Sequence, residues 1–347
     1  VTGGGGLLAP QCDERLWVKG ARGGKRPLVY ACCMNLPSLA ELLPRLLHPQ
    51  VRDLAWTLLS PPLLSNTPAL QRHPLTASRW ASNSNELVDW LHLLDAQPAV
   101  LNAWLEQRSN RRLGLYYERL WQLALSQAPD IELLGANLPI RQDGQTLGEL
   151  DLIFRDAEGV HHLELAVKFY LGLENGDRSR HDHWLGPGSH DRLSIKLQRL
   201  CAHQLQLCST PYARSILSEL TCCAIDSAFW LGGYLFQPCG EALVSPAGAN
   251  PDHLCGHWLR QRDWPDFVRS HPQRDVETHW QPLPRHAWLA PAHLESAAVW
   301  QPSDFDNWVN ATPTRSQPWL LVRLEANAEA YWTERERLFL VPDDWPG

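Results

Sequence analysis

The stretch GELDLIFRDAEGVHHLELAVKFYLG, residues 148–172, constrains the fold more than any other part of the chain. Two apolar-rich runs flank the turn sequence DAEG, so they read as paired strands. Alternate residues of a strand share a face. Glu149, Asp151 and Ile153 therefore point one way, and on the second strand Glu164, Ala166 and Lys168 share one face while Leu163, Leu165, Val167 and Phe169 take the other. If these strands are neighbours, two or three carboxylates and one ammonium gather at a single patch of sheet. A sheet expects valine or leucine there, so the charges call for a chemical reason.

The flanking sequence extends the pattern. Residues 111–129 have the apolar spacing of an amphipathic helix, with Pro129 marking its end. IELLGANLPI then reads as a strand, and RQDGQT as a hairpin turn, because Asp-Gly supplies positive φ cheaply. A helix feeds a three-stranded meander. The polar, glycine-punctuated ENGDRSRHDHWLGPGSH after it reads as a mobile loop. Helical spacing resumes over 191–209, and 222–238 reads as a strand pair or one long bent strand. Upstream, 37–47, 49–60 and two segments separated at Pro98 form an N-terminal helical region. The tryptophan- and proline-rich remainder carries expected strands at 319–325 and 337–341.

These readings divide the 347 residues into an extension at 1–33, a helical region at 34–110, an α/β core at 111–238 and a C-terminal α+β extension at 239–347 packed on that core. Met34 is the chain's single methionine and stands where ordered-looking sequence begins, which makes it the expected natural start. No stretch approaches the ~18 uncharged apolar residues of a membrane span. Nine cysteines without a C-x-x-C pair read as reduced thiols in a cytoplasmic protein. A net charge of −7 argues against nonspecific coating of a polyanion, so any nucleic-acid contact requires a local basic patch. Walker A, G-x-S-x-G and dinucleotide fingerprints are absent from the sequence.

Lysine is scarce: four, at 19, 25, 168 and 196, against 27 arginines. A lysine inside an apolar strand is therefore a specific choice of a compact, rotatable ammonium. Clustered carboxylates that hold Mg²⁺ or Mn²⁺, with a lysine orienting the attacking water, fit hydrolysis of a phosphodiester. The alternative is an ion-pair network of Asp151, Glu164 and Lys168 without catalysis, costly to bury and kept for specificity.

The order of a helix with Glu, a strand with Asp, a strand with Glu and Lys, and a basic helix resembles the PD-(D/E)xK nuclease superfamily, the restriction-endonuclease-like fold, over about residues 112–237. VRDLAW, YYERLW, GELDLIF, LELAVKFYLG and KLQRLCAHQL more closely resemble a bacterial family of uncharacterised proteins grouped with that superfamily. The resemblance implies a mixed central sheet flanked by helices, Asp151 and Glu164 as ligands of Mg²⁺ or Mn²⁺, Lys168 as catalytic lysine and Glu118 as a further carboxylate. It also implies Gln204 or Lys196 as contacts to phosphate, with DNA the expected partner ahead of RNA.

The spacing departs from the superfamily pattern, which sets the lysine two residues after the acid. Glu164 precedes Lys168 by four, so the Cα atoms stand roughly 13 Å apart instead of ~6.7 Å. If Lys168 fills the usual slot, Ala166 stands where the acid would, and Glu149 or Glu118 completes the metal site. Arg192, Lys196 and Arg199 share a helical stripe suited to backbone phosphates. A noncatalytic module that binds nucleic acid or protein remains the alternative function. Cys239, His253, Cys255 and His257 match no common zinc-finger spacing.

Overall fold

The computed structural model describes residues 17–19, 25–27, 34–107, 112–270, 277–311, 317–327 and 330–347. Within the stretch expected to be an extension, β1 (Trp17–Lys19) and β2 (Lys25–Pro27) pair antiparallel, and the rest of 1–33 lies outside the described residues. The N-terminal helices are α1 (Leu39–Leu42), α2 (Pro49–Leu59), α3 (Arg79–Ser82), α4 (Ser84–Ala96), α5 (Ala99–Glu106) and α6 (Leu113–Gln127). α2 starts with Pro49 in its first turn, where the missing N–H costs nothing, and ends just before Pro61 and Pro62.

The meander follows as β3 (Glu132–Gln142), β4 (Gln145–Asp156) and β5 (Gly159–Gly172). Asp143 and Gly144 turn the first hairpin with φ of 49° and 82°, the two positive values that the Asp-Gly pair predicts. Beyond β5 come β6 (Trp184–Leu185), α7 (Leu193–Arg199), a π turn at Leu200–Gln204, α8 (Pro211–Leu217) and β7 (Ile225–Pro238). Within the region 222–238, Ile225–Pro238 thus forms one long strand. β8 (Cys255–Arg260), α9 (Trp264–Ser270), β9 (Thr278–Pro282), β10 (His293–Glu295), α10 (Pro302–Asn310), β11 (Trp319–Ala326) and β12 (Tyr331–Val341) complete the chain.

Among the described residues ten strands form one mixed sheet, in the order β3-β4-β5-β7-β8-β12-β11-β9, with β6 on β5 and β10 on β12. The central pairings β5–β7, β7–β8 and β8–β12 are parallel, and the outer ones antiparallel. The protein is mixed α/β, with helices flanking the sheet. Strands β8 to β12 belong to the same sheet as β3 to β7.

Both faces of β5 and β7 are covered. Leu163, Leu165 and Phe169 of β5, with Trp230, Tyr234 and Phe236 of β7, pack against α2 and α6. Ala166 and Tyr170, with Phe229, Leu231 and Leu235, pack against Leu193 and Leu197 of α7. Gly233 permits the pairing: its φ is +135°, and a Cβ there would fall 1.7 Å from the Lys168 carbonyl oxygen.

A buried polar network ties the N-terminal helices to the C-terminal strands. Asp53 of α2 accepts from Tyr116 Oη at 2.9 Å and from the Ala290 amide at 3.0 Å. Arg52 donates to the carbonyls of Leu46 and Pro291, each at 3.0 Å. Arg337 of β12 stands 4.4 Å from the Tyr234 ring centroid and donates to Glu334 Oε1 at 2.7 Å and Oε2 at 3.0 Å, and to the Ala290 carbonyl at 3.0 Å. Burial pushes the Asp53 carboxyl up to about 6, against the pull of its hydrogen bonds. The folded chain then binds more protons than the unfolded one between about pH 4 and 6, so this group's contribution to stability falls as pH rises through that window.

Removing Arg337 strands the Glu334 charge in the interior. Arg337→Ala is expected to cost about 3–5 kcal/mol in urea denaturation. Arg335→Ala, an exposed partner of Glu325 at 2.9 Å, should cost less than about 1 kcal/mol.

Candidate active site

The β4–β5 ladder sets Leu152 opposite Leu163 and Ile153 opposite His162. Asp151 is the next residue of β4 beyond that ladder and Glu164 the next of β5, both on the face covered by α7 and the π turn. Asp151 is half-buried, and its Oδ2 accepts from the Leu165 amide at 2.8 Å. Glu164 is fully buried: His162 Nε2 lies 2.8 Å from its Oε1, and Gln204 Nε2 donates to its Oε2. Lys196 Nζ in turn donates to Gln204 Oε1 at 3.0 Å.

Glu118, on α6, comes to the same patch and accepts from Asn137 Nδ2 at 3.1 Å. Burial raises the Glu118 carboxyl to about 6, with the Glu149 and Glu164 charges adding to the shift and the Asn137 bond and Lys196 opposing it. Burial also holds Asp151 well above the usual carboxylate range, reinforced by Glu164 and Glu118 and opposed by the Leu165 amide and Lys196. Three carboxylates from three elements therefore repel one another across one patch. Such a patch releases its strain when a proton or a cation enters.

The chain's two lysines beyond residue 33 converge here. Lys168 reaches Asp191 Oδ2 at 2.6 Å, a partially exposed pair. Lys196 is half-buried; burial and then the Lys168 charge lower its pKa, against the pull of Glu164, Asp151 and Asp191. The ammonium electrostatically linked to Asp151 and Glu164 is thus Lys196, with Lys168 one step away on Asp191. Strand spacing could not show this, because Lys196 and Asp191 come from the far side of the β5–β7 crossover.

Other expected residues scatter. Glu149 is exposed and enters only through its charge on Glu118. Arg192 and Arg199 are exposed while Lys196 turns inward, so the helical stripe divides between a solvent rim and the carboxylates. The loop read as mobile is pinned: Trp184 is fully buried with its Nε1 donating to the Arg178 carbonyl at 2.7 Å, and Arg178 is buried against Glu241. His253 Nε2 lies 3.0 Å from Ser245 Oγ and joins no metal-capable cluster with Cys239, Cys255 or His257.

Among the described residues, three metal-capable side chains bring ligand atoms within 4.8 Å of one another at Asp156, Glu158 and His161, at the β4–β5 turn. Arg72 already occupies that place, 2.7 Å from both Asp156 and Glu158, and His161 lies 3.0 Å from Asp156. Both carboxylates of this cluster already have an internal cationic partner. At the Asp151 patch, sequence reasoning missed His162 and Asp191. Two residues before Glu164 on the same face, His162 carried a signal in the strand period itself; Asp191 carried none.

The family described as Domain of unknown function (DUF1853) matches residues 52–341, which include every residue of this patch. The chain belongs to the DUF1853 family. No curated protein and no solved structure matches it. In this DUF1853 protein Asp151, Glu164 and Glu118 bring three carboxylates from three elements to one patch.

Carbon-13 NMR of the side-chain carboxyls should show Glu118 titrating near pH 6. Glu164→Gln should move that midpoint down, because a like charge is removed. An unmoved midpoint would separate Glu118 from the patch.

Proposed function

We propose that this protein is a metal-dependent nuclease that hydrolyses phosphodiesters of nucleic acid, with DNA the expected substrate ahead of RNA. The observation that carries the reading is the pairing of Asp151 and Glu164 on adjacent strands, electrostatically linked to each other and to Lys196. The element order α6, β3, β4, β5, α7, β7 supports it through its resemblance to the restriction-endonuclease-like core of the PD-(D/E)xK superfamily.

The donor set fits Mg²⁺ or Mn²⁺, hard cations that take carboxylate oxygens. Asp151 and Glu164 would hold the ion, with Glu118 or Glu149 near enough in charge to assist. When bound, such an ion polarises a phosphoryl oxygen and lowers the pKa of water. The chain's own part is positional and electrostatic. Lys168, 29% exposed, can turn from Asp191 to orient a water or a phosphate oxygen, and Lys196 balances negative charge at the carboxylates. Arg192 and Arg199, exposed on the same helical segment, offer contacts to the backbone on either side.

A second reading has its own support: Lys168 is ion-paired with Asp191, and among the described residues no three-ligand cluster closes at Asp151 and Glu164. On that reading the patch is a noncatalytic surface for nucleic acid or protein. Incubation with single-stranded, duplex and branched DNA and with RNA, in Mg²⁺ or Mn²⁺, separates the two. The nuclease reading predicts cleavage that Asp151→Asn reduces by about a hundredfold or more. Cleavage at wild-type rate by that variant would assign the activity to a contaminant.

A further inference from the structure

Glu164 makes its two hydrogen bonds to an imidazole and an amide, although two ammonium groups lie nearby. A fully buried carboxylate needs partners, and a direct lysine contact would be the strongest available. Yet Lys168 donates to Asp191 and Lys196 to Gln204. The donors that do reach Glu164 are an imidazole and an amide.

Each donor is itself held. His162 is fully buried, and its Nδ1 lies 3.2 Å from Ser227 Oγ, the residue directly opposite it in the β5–β7 register. The tautomer with hydrogen on Nε2 satisfies both contacts, donating to Glu164 and accepting from the hydroxyl. Gln204 is placed by the π turn, closed by the Leu205 amide on the Leu200 carbonyl at 3.0 Å. Lys196 and Gln204 are eight residues apart, which exceeds two α-helical turns; a wider turn of roughly 4.4 residues added to one of ~3.6 brings them back to one face. The Lys196 bond to the Gln204 oxygen polarises the amide toward Glu164.

We propose that His162 and Gln204 are positioning residues that clamp both oxygens of Glu164, orienting the carboxylate so that its remaining lone pairs stay available to a divalent cation. This inference rests on the metal-dependent reading above. A carboxylate accepts at about four lone-pair sites, and the clamp uses two of them. Partners of this kind orient a ligating carboxylate, and losing one costs metal affinity about 10- to 100-fold.

The test is calorimetric titration of the full chain with Mn²⁺ alone, on wild type, Asp151→Asn, Gln204→Ala, His162→Ala and His162→Gln, with thermal melts of each. Wild type should bind and Asp151→Asn should not. Gln204→Ala and His162→Ala should each weaken binding about 10- to 100-fold. His162→Gln, whose amide offers a donor at comparable reach, should recover affinity to within about threefold of wild type. Gln204 is half-buried on a turn, so Gln204→Ala decides the question even if His162→Ala fails to fold. Wild-type affinity in a folded Gln204→Ala overturns the clamp and leaves the metal reading standing. Absence of Mn²⁺ binding in wild type, or its survival in Asp151→Asn, overturns the metal reading and the clamp together.

Discussion

The parallel pairing of β5 with β7 is the constraint on which the rest depends. Its register runs from Val160 opposite Ile225 to Leu171 opposite Phe236, and it sets His162 against Ser227 and Lys168 against Gly233. A parallel pair requires a crossover, and the crossover here carries Asp191, Lys196 and Gln204 onto the face where Glu164 and Lys168 lie. Gly233 makes the approach possible, because any Cβ would collide with the Lys168 carbonyl. The same strand that closes the core therefore assembles the charged patch.

That patch is expensive. Glu164 is withdrawn from water, Asp151 is raised by burial and then by the Glu164 charge, and Glu118 adds a third negative group from a different element. A sheet face lined by leucine would avoid all of this. At the β4–β5 turn, by contrast, Arg72 lies directly against Asp156 and Glu158 and partners both carboxylates. At Asp151 and Glu164 the available ammoniums are bonded to other acceptors. The turn sets a guanidinium directly on its carboxylates, whereas this patch keeps its ammoniums one hydrogen-bond partner away.

The sequence made the meander legible because its signals are local. Alternation placed Asp151 and Glu164 on one face, and Asp143–Gly144 announced the hairpin with both positive φ values. The helix at α6 followed from apolar spacing, to within two residues at each end. What escaped depends on contacts distant in sequence. β8 joins β7 and β12 in parallel across long separations, so nothing near 255–260 declares that it continues the core sheet. Trp184 looked like part of a polar loop, yet its indole is buried and pins that loop. The preference of Lys168 for Asp191, and the turning of Lys196 toward the carboxylates, needed the crossover to be drawn first.

The central claim is that Asp151 and Glu164 jointly accept a divalent cation. Anomalous diffraction from a crystal equilibrated with Mn²⁺ addresses it most directly, because the manganese signal locates the ion without reference to activity. The account predicts a peak within coordination distance, about 2.2 Å, of both carboxylates. A crystal with no peak there, or with its peak only at Asp156, Glu158 and His161, would contradict it.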